Sequence, residues 1–460
     1  MTMRLLRPIF LLGSLLALVP CRSAARLTNS PPANGRLSIG WNGRGTLERA
    51  DRLAGPWSPV AASPNPMQIL LTNTTQFLRL NQTVDTTSLR KKVLCGYQGW
   101  FRCPGDGGSQ WIHWSRSSST IATNTLTFEM WPDMGEYAHR YRAPGFSHSD
   151  GAPAYLFSPR DPQTVDRHFD WMLEYGIDGV WLSRFVVGVA GHPTNVLQNV
   201  RAAASRTGRT FALMYDMTGQ STNTLLAQMT GDWRWLEDNL QLTKDPRYLH
   251  HNGKPVLMVW GFFSERFSTN LAHQIIDFFQ TNSTYGATLV GGGEWWWRTD
   301  AAPGWAGVFR RFPVYSPWNV GNVSLSGTNK YASIAYWRDD LAAAKAMNML
   351  YLPVIYPGFS WDNLQRLAPG TSKISRLGGD FLWKQFNGAR TLGLDSAFVA
   401  MFDEVDEGTA IFKVTNTPPT QGYFVTYEGK PADWYLRLTA EGTRVLAGER
   451  PNTSTIPITP

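Results

Sequence analysis

Cysteine is scarce in this chain of 460 residues. Cys21, Cys95 and Cys103 are too few for a disulfide scaffold, and no Cys/His spacing beside them suits a zinc site. Charge is sparse too: 17% of residues are charged against 43% hydrophobic, which excludes a disordered chain and a coiled coil. No block of lysine and arginine is present, so nucleic acid is not an expected partner. The sequence also lacks a glycine-rich phosphate loop, a dinucleotide fingerprint and a G-x-S-x-G elbow. Dinucleotide, nucleotide and serine-hydrolase chemistries therefore lose support, and no cofactor or bound metal is expected.

What is present begins with a leader. Arg4 and Arg7 precede an apolar run from Pro8 to Val19, and Ser23-Ala24-Ala25 supplies small residues for cleavage before Arg26. Residues 1–25 thus read as a secretory signal peptide, and export to the periplasm, cell surface or medium is expected. Pro20 fits lipid attachment at Cys21 badly, and no other run approaches a membrane span. Without Arg4, Arg7 and Arg22 the chain keeps 40 basic against 35 acidic residues, a spread-out excess that suits solubility and weak attraction to acidic glycans. Cys95 and Cys103, close together in an exported chain, form a candidate disulfide. A monomer is expected.

Residues 26–85 differ in character from the rest of the chain. Short β-like runs, Leu37 to Trp41, Thr46 to Glu48 and Phe77 to Leu80, alternate with Gly, Asn and Pro turns, which predicts a small β module and a linker. From 86 to 447 strand and helix signals alternate. Candidate strands are Val93 to Trp100, Leu126 to Trp131, Ile177 to Ser183, Thr210 to Asp216, Pro255 to Gly261, Ala287 to Gly291, Phe312 to Trp318, Met349 to Tyr356 and Ser396 to Phe402. Helical patterns between them cover Asp161 to Tyr175, Pro193 to Thr207, Asn270 to Asn282, Tyr331 to Met347 and Ser375 to Leu392, with a last one from Asp433 to Leu446. Nine strands alternating with helices predict an α/β fold, a (β/α)8 TIM-type barrel with one candidate strand outside it. Residues 448–460 read as a flexible tail.

In such a barrel the functional residues follow the strands, at the C-terminal rim. The last candidate strand runs straight into Asp403, Glu404, Asp406 and Glu407, four carboxylates within five residues. A chain turn at Val405 and Asp406 brings Glu404 and Glu407 to one point, the arrangement that paired acid and base catalysis needs. A solvated loop or a calcium site competes with that reading, though the loop lacks the spacing of a dedicated calcium motif. The other rim positions are candidate substrate contacts: Trp100, His113, Trp114, Asp216, Trp260, Trp295, Tyr315, Trp318 and Tyr356, with Asp403 and Asp406 beside the glutamates. Twenty tryptophans offer flat faces suited to sugar rings, although at least half are expected in the core. Arg184 reads as one half of a structural ion pair ahead of a contact to an acidic or sulfated sugar.

Phe402-Asp403-Glu404-Val405-Asp406-Glu407-Gly408-Thr409-Ala410-Ile411 resembles the Phe-Asn-Glu-Trp-His-Glu-Gly-Thr-Gln-Ile signature of glycoside hydrolase family 99, the endo-α-mannosidases and endo-α-mannanases. Gly96-Tyr97-Gln98-Gly99-Trp100 with His113-Trp114, Asp161-Pro162 leading to Gly176-Ile177-Asp178-Gly179, Lys254-Pro255-Val256-Leu257-Met258 and Pro357-Gly358-Phe359 occur in the same order. The likeness runs from about Val93 to Lys413 and is strongest at the last motif. It implies an exported glycoside hydrolase acting with retention on 1,2-trans bonds of a poly- or oligosaccharide. Glu407 would then be general acid and base, and Glu404 would either deprotonate the sugar's 2-hydroxyl or act as nucleophile. Asp403, Val405 and Asp406 depart from the signature, which puts the mannose preference in doubt. A non-catalytic glycan-binding barrel is the alternative.

Overall fold

The computed structural model describes residues 27–31, 33–41, 44–60, 66–70, 76–299 and 301–460. The expected signal peptide, Cys21 included, lies outside the described residues. The chain divides into two compact units, 1–81 and 82–460.

The first unit holds two small antiparallel sheets. Leu27–Asn29, Arg36–Trp41 and Met67–Leu70 form one; Ser58–Pro59, Thr46–Ala50 and Phe77–Asn81 form the other. Leu37 and Ile39, two apart on one strand, are buried together with Leu47, as the period of two requires.

The second unit is a closed barrel. Its strands are β1 (Val93–Tyr97), β2 (Gly179–Phe185), β3 (Thr210–Asp216), β4 (Lys254–Phe262), β5 (Thr288–Gly293), β6 (Val314–Pro317), β7 (Leu350–Tyr351 continued by Val354–Ile355) and β8 (Ala397–Val399). Each pairs in parallel with the next, from β1 through β6 to the first half of β7. The second half of β7 pairs with β8, and β8 returns to β1. Between the halves of β7 the Leu352 amide still donates to Tyr315 O of β6, while Pro353 O accepts the Phe398 amide of β8, both at 2.9 Å. Proline has no amide to give, so it is tolerated where the neighbour needs only an acceptor.

Leu126 to Trp131 is the candidate strand that stays outside the barrel. It braces the acidic turn instead, the Glu129 amide donating to Val405 O at 2.7 Å. An apolar run of this length reads alike whether a sheet or packed loops cover it.

Helices fill the connections: α1 (Pro162–Tyr175), α2 (Asn195–Thr207), α3 (Thr222–Leu240), α4 (Thr269–Thr281), α5 (Trp305–Phe309), α6 (Trp337–Ala346), α7 (Asp380–Thr391) and α8 (Trp434–Ala447). Helix α1 starts and stops on the signals in its sequence: the Asp161 side chain accepts the Gln163 amide, Pro162 opens the first turn, and Gly176 ends it at φ 69°. Helix α6 starts later than its pattern because Val323–Ser326 and Asn329–Ala332 form a hairpin first.

Two expectations need correction. Cys95 and Cys103 are both free and buried. Cys95 lies inside β1, and Cys103, beyond the turn after that strand, donates its thiol to Phe157 O at 3.3 Å. Residues 448–460, expected as a flexible tail, pack back on the barrel unit: Trp383 Nε1 donates to Thr453 O at 3.0 Å, Arg437 to Thr459 O at 2.7 Å, and Ile456 packs on the core.

Candidate active site

The acidic turn leaves β8 and folds back on itself. Phe402 donates its amide to Gly96 O of β1 at 2.7 Å, and the amides of Thr409 and Ala410 both donate to Glu404 O, at 3.1 and 3.0 Å. From outside, the Ser360 amide donates to Glu407 O at 2.9 Å. Arg376, fully buried, sends Nη2 to Gly408 O and Ala410 O, each at 2.7 Å, with its guanidinium over the rings of Tyr427 and Tyr435. Gly408 sits at φ 62°, where a Cβ would stand 2.9 Å from the Ser360 nitrogen.

The four carboxylates do different things. Asp403, with no exposed surface, accepts the Gln98 amide on one oxygen at 2.8 Å and the Gly99 amide on the other at 2.9 Å, so it clamps the turn after β1. Asp406 meets His113 Nδ1 at 3.2 Å, and that imidazole lies flat on Trp100, with ring centres 3.8 Å apart and planes 4° from parallel. Glu404 accepts from Gln98 Nε2 at 3.0 Å. Among the described residues no hydrogen-bond donor reaches the carboxylate of the half-buried Glu407.

Burial governs the protons here. It pushes the Glu404 carboxyl well above its ordinary range, with the charge of Glu407 adding to it. Glu407 rises to about 7 through burial and then the charges of Asp406 and Asp216. Both carboxyls are thus shifted toward the protonated form, and they titrate as an interacting pair.

Both glutamates open into a cavity of about 740 Å³ at the C-terminal end of the barrel. Its walls carry Trp100, Phe185, Trp260, Phe263, Trp318, Phe359 and Trp361. Of the rim residues expected at the substrate, Trp100, Asp216, Trp260 and Trp318 line this cavity. A bulge between Trp260 and Phe262 re-aims the end of β4 there.

Seven candidates stand behind or beside the wall. Trp114 is buried, with Nε1 donating to Phe157 O at 3.1 Å. Tyr315 is buried and donates to Glu294 O at 3.0 Å; Tyr356 is buried and donates to Asn322 O at 3.1 Å. Trp295 packs against Trp296 and Tyr336. Asp403, Asp406 and His113 support the turn and Trp100 as described. Aromatic side chains at strand ends turn inward where the core has space for their area, and a rim position in sequence does not decide that.

Sequence reasoning missed Phe185, Phe263, Arg266 and the hairpin that brings Val323 and Lys330 to the cavity. Gly327-Thr328 between two short β-like runs was the readable signal for the hairpin.

No protein-family model matches the chain, and no curated protein matches it in sequence. Solved structures do match in fold. A family GH99 endo-α-mannosidase from Bacteroides thetaiotaomicron superposes at TM-score 0.59 and 14% identity, covering 79% of this chain and 100% of that one. The same enzyme in complex with bis-tris-propane gives 0.57 and 15%, covering 79% and 99%. This chain therefore shares the barrel fold of those structures.

Proposed function

We propose that the protein is a glycoside hydrolase that cleaves 1,2-trans bonds in a poly- or oligosaccharide with retention of configuration. The observation that carries this reading is the pair Glu404 and Glu407 opening together into one aromatic-walled cavity. Buried polar atoms of the wall, Gln98 Oε1, Trp100 Nε1 and Trp260 Nε1, have no hydrogen-bond partner among the described residues, which suits a ligand rich in hydroxyls.

Glu407 serves as general acid and base. Its carboxyl, raised to about 7, is still protonated near neutral pH and donates to the glycosidic oxygen as the bond to carbon 1 breaks. The hydrogen bond from Gln98 favours charge on Glu404, against the burial and neighbouring acids that raise it, and the reaction runs from the form with the proton on Glu407. Glu404 takes the proton of the sugar's 2-hydroxyl, whose oxygen closes on carbon 1 from the opposite face. Water then opens this 1,2-anhydro ring, giving one proton to Glu407 while Glu404 returns its own to oxygen 2. Once ionised, a carboxyl raised in this way is a strong base for the 2-hydroxyl; attack by Glu404 as nucleophile is the alternative route. Expected habitat is outside the cytoplasm, in line with the leader.

Incubating purified protein with plant, algal and fungal polysaccharides and measuring new reducing ends tests the reading. Wild type is expected to release sugars and Glu407→Gln to lose ~10²–10⁴-fold in kcat. No release from any substrate, with glycan binding intact, would replace the hydrolase by a glycan-binding barrel; equal rates would remove Glu407 from its role.

A further inference from the structure

We propose that the cavity takes glycans bearing an anionic substituent, a carboxylate or a sulfate ester, which seats on Arg266 and Lys330. For the sugar it rests on the hydrolase reading; the anion site stands on its own geometry.

Two other inward arginines are already committed to protein partners. Arg184 meets Asp232 with two nitrogens at 2.5 and 2.6 Å and Pro193 O with a third, which settles it as a structural pair. Arg376 is bound to backbone carbonyls. Arg266 differs. It lines the cavity half-exposed, with its guanidinium 4.9 Å over Trp260 and 4.6 Å over Phe263. One nitrogen donates to Thr218 Oγ1 at 3.2 Å, and among the described residues it forms no ion pair. Asp216, the nearby acid, instead accepts the Thr218 amide at 2.8 Å. The ring contacts fix the plane of the guanidinium, and most of its five donors stay open, the fork that binds an oxyanion two-handed.

Lys330 reaches the same cavity from the hairpin, exposed and likewise without an ion pair among the described residues. Trp260 both lines the wall and carries Arg266 on its ring. A sugar packed on that wall therefore presents its substituent beside the guanidinium. A neutral glycan gives these two cations nothing to pair with.

Affinity electrophoresis in matched polysaccharides tests this: a sulfated glycan against its desulfated form, and a uronate glycan against its carboxyl-reduced form. Wild type, Glu407→Gln, the double variant Arg266→Gln/Lys330→Gln and the control Lys244→Gln/Lys254→Gln are compared, the control removing two exposed charges outside the cavity. Wild type is expected to bind one anionic form about tenfold more tightly than its neutral partner, with parity in the cavity variant and no change in the control. The preferred arm tells sulfate from carboxylate. Equal binding of charged and neutral forms, an equal loss in the control, or no binding to any form overturns the proposal. Reducing-end assays on the same pairs separate the two readings. Hydrolysis without charge preference removes the anion site and keeps the hydrolase; charge-selective binding without hydrolysis does the reverse.

Discussion

Two of the four turn acids face the cavity and two hold the turn in place. The Glu404–Glu407 spacing was legible because it depends only on residues a few positions apart. The work of Asp403 was not, since the amides it accepts lie 305 and 304 positions away in sequence. The proton on Glu407 gives a prediction at the scale of single residues. An acid must be protonated to donate, so kcat/KM should fall as pH rises through about 7. The charge of Asp216 is one cause of that high value. Asp216→Asn removes it, and the alkaline limb should move to lower pH in a pH–rate series. A limb that stays in place would mean that Asp216 does not act on Glu407, and a limb that moves up would reverse the sign of the interaction.

At the scale of elements, the barrel strands were readable because each is an apolar run bounded by turns, covered on both faces. What escaped was any element whose identity depends on a partner far away: helix α3, the hairpin over the cavity, and the segment 126–131 that braces the turn from outside the sheet. The buried Arg376 belongs to this group, since nothing local marks an arginine as the support of a loop. Removing it leaves Gly408 O and Ala410 O buried without that donor. Arg376→Ala should cost about 3 kcal/mol in urea denaturation and lower kcat more than KM, because the turn loses its shape while the aromatic wall remains. Gly408→Ala tests the same turn from the backbone. At φ 62° a side chain costs ~1 kcal/mol before its clash with Ser360, so melting temperature and kcat should both fall. Full activity in either variant would show that the turn is held without them.

The whole molecule carries an unusual load of buried acid. Glu129, its oxygens bonded to Ser360 Oγ at 2.7 Å and the Asn363 amide at 2.5 Å, is raised to about 7, chiefly by burial. Asp403 also rises to about 7 and Asp340 to about 6, burial again first. Between their ordinary values, near 4, and these raised ones, the folded chain keeps protons that the unfolded chain has released. Stability therefore declines as pH climbs through that window and levels off above about 7. His168 acts the other way. Burial between the Tyr97 and Tyr137 hydroxyls lowers it to about 3, so its contribution is lost as pH falls below 6.5. One such imidazole against several acids leaves the acids dominant, and the melting temperature should drop from pH 5 to pH 8. Glu129→Gln separates this cause from net charge. Glutamine copies the protonated acid, accepting from Asn363 and donating to Ser360, so it keeps both bonds with no charge to bury. Its stability relative to wild type should improve by ~2–3 kcal/mol between pH 5 and pH 8, read from thermal unfolding across that range. A constant difference, or one that shrinks as pH rises, would mean that Glu129 stays ionised inside the fold and that the pH dependence has another source.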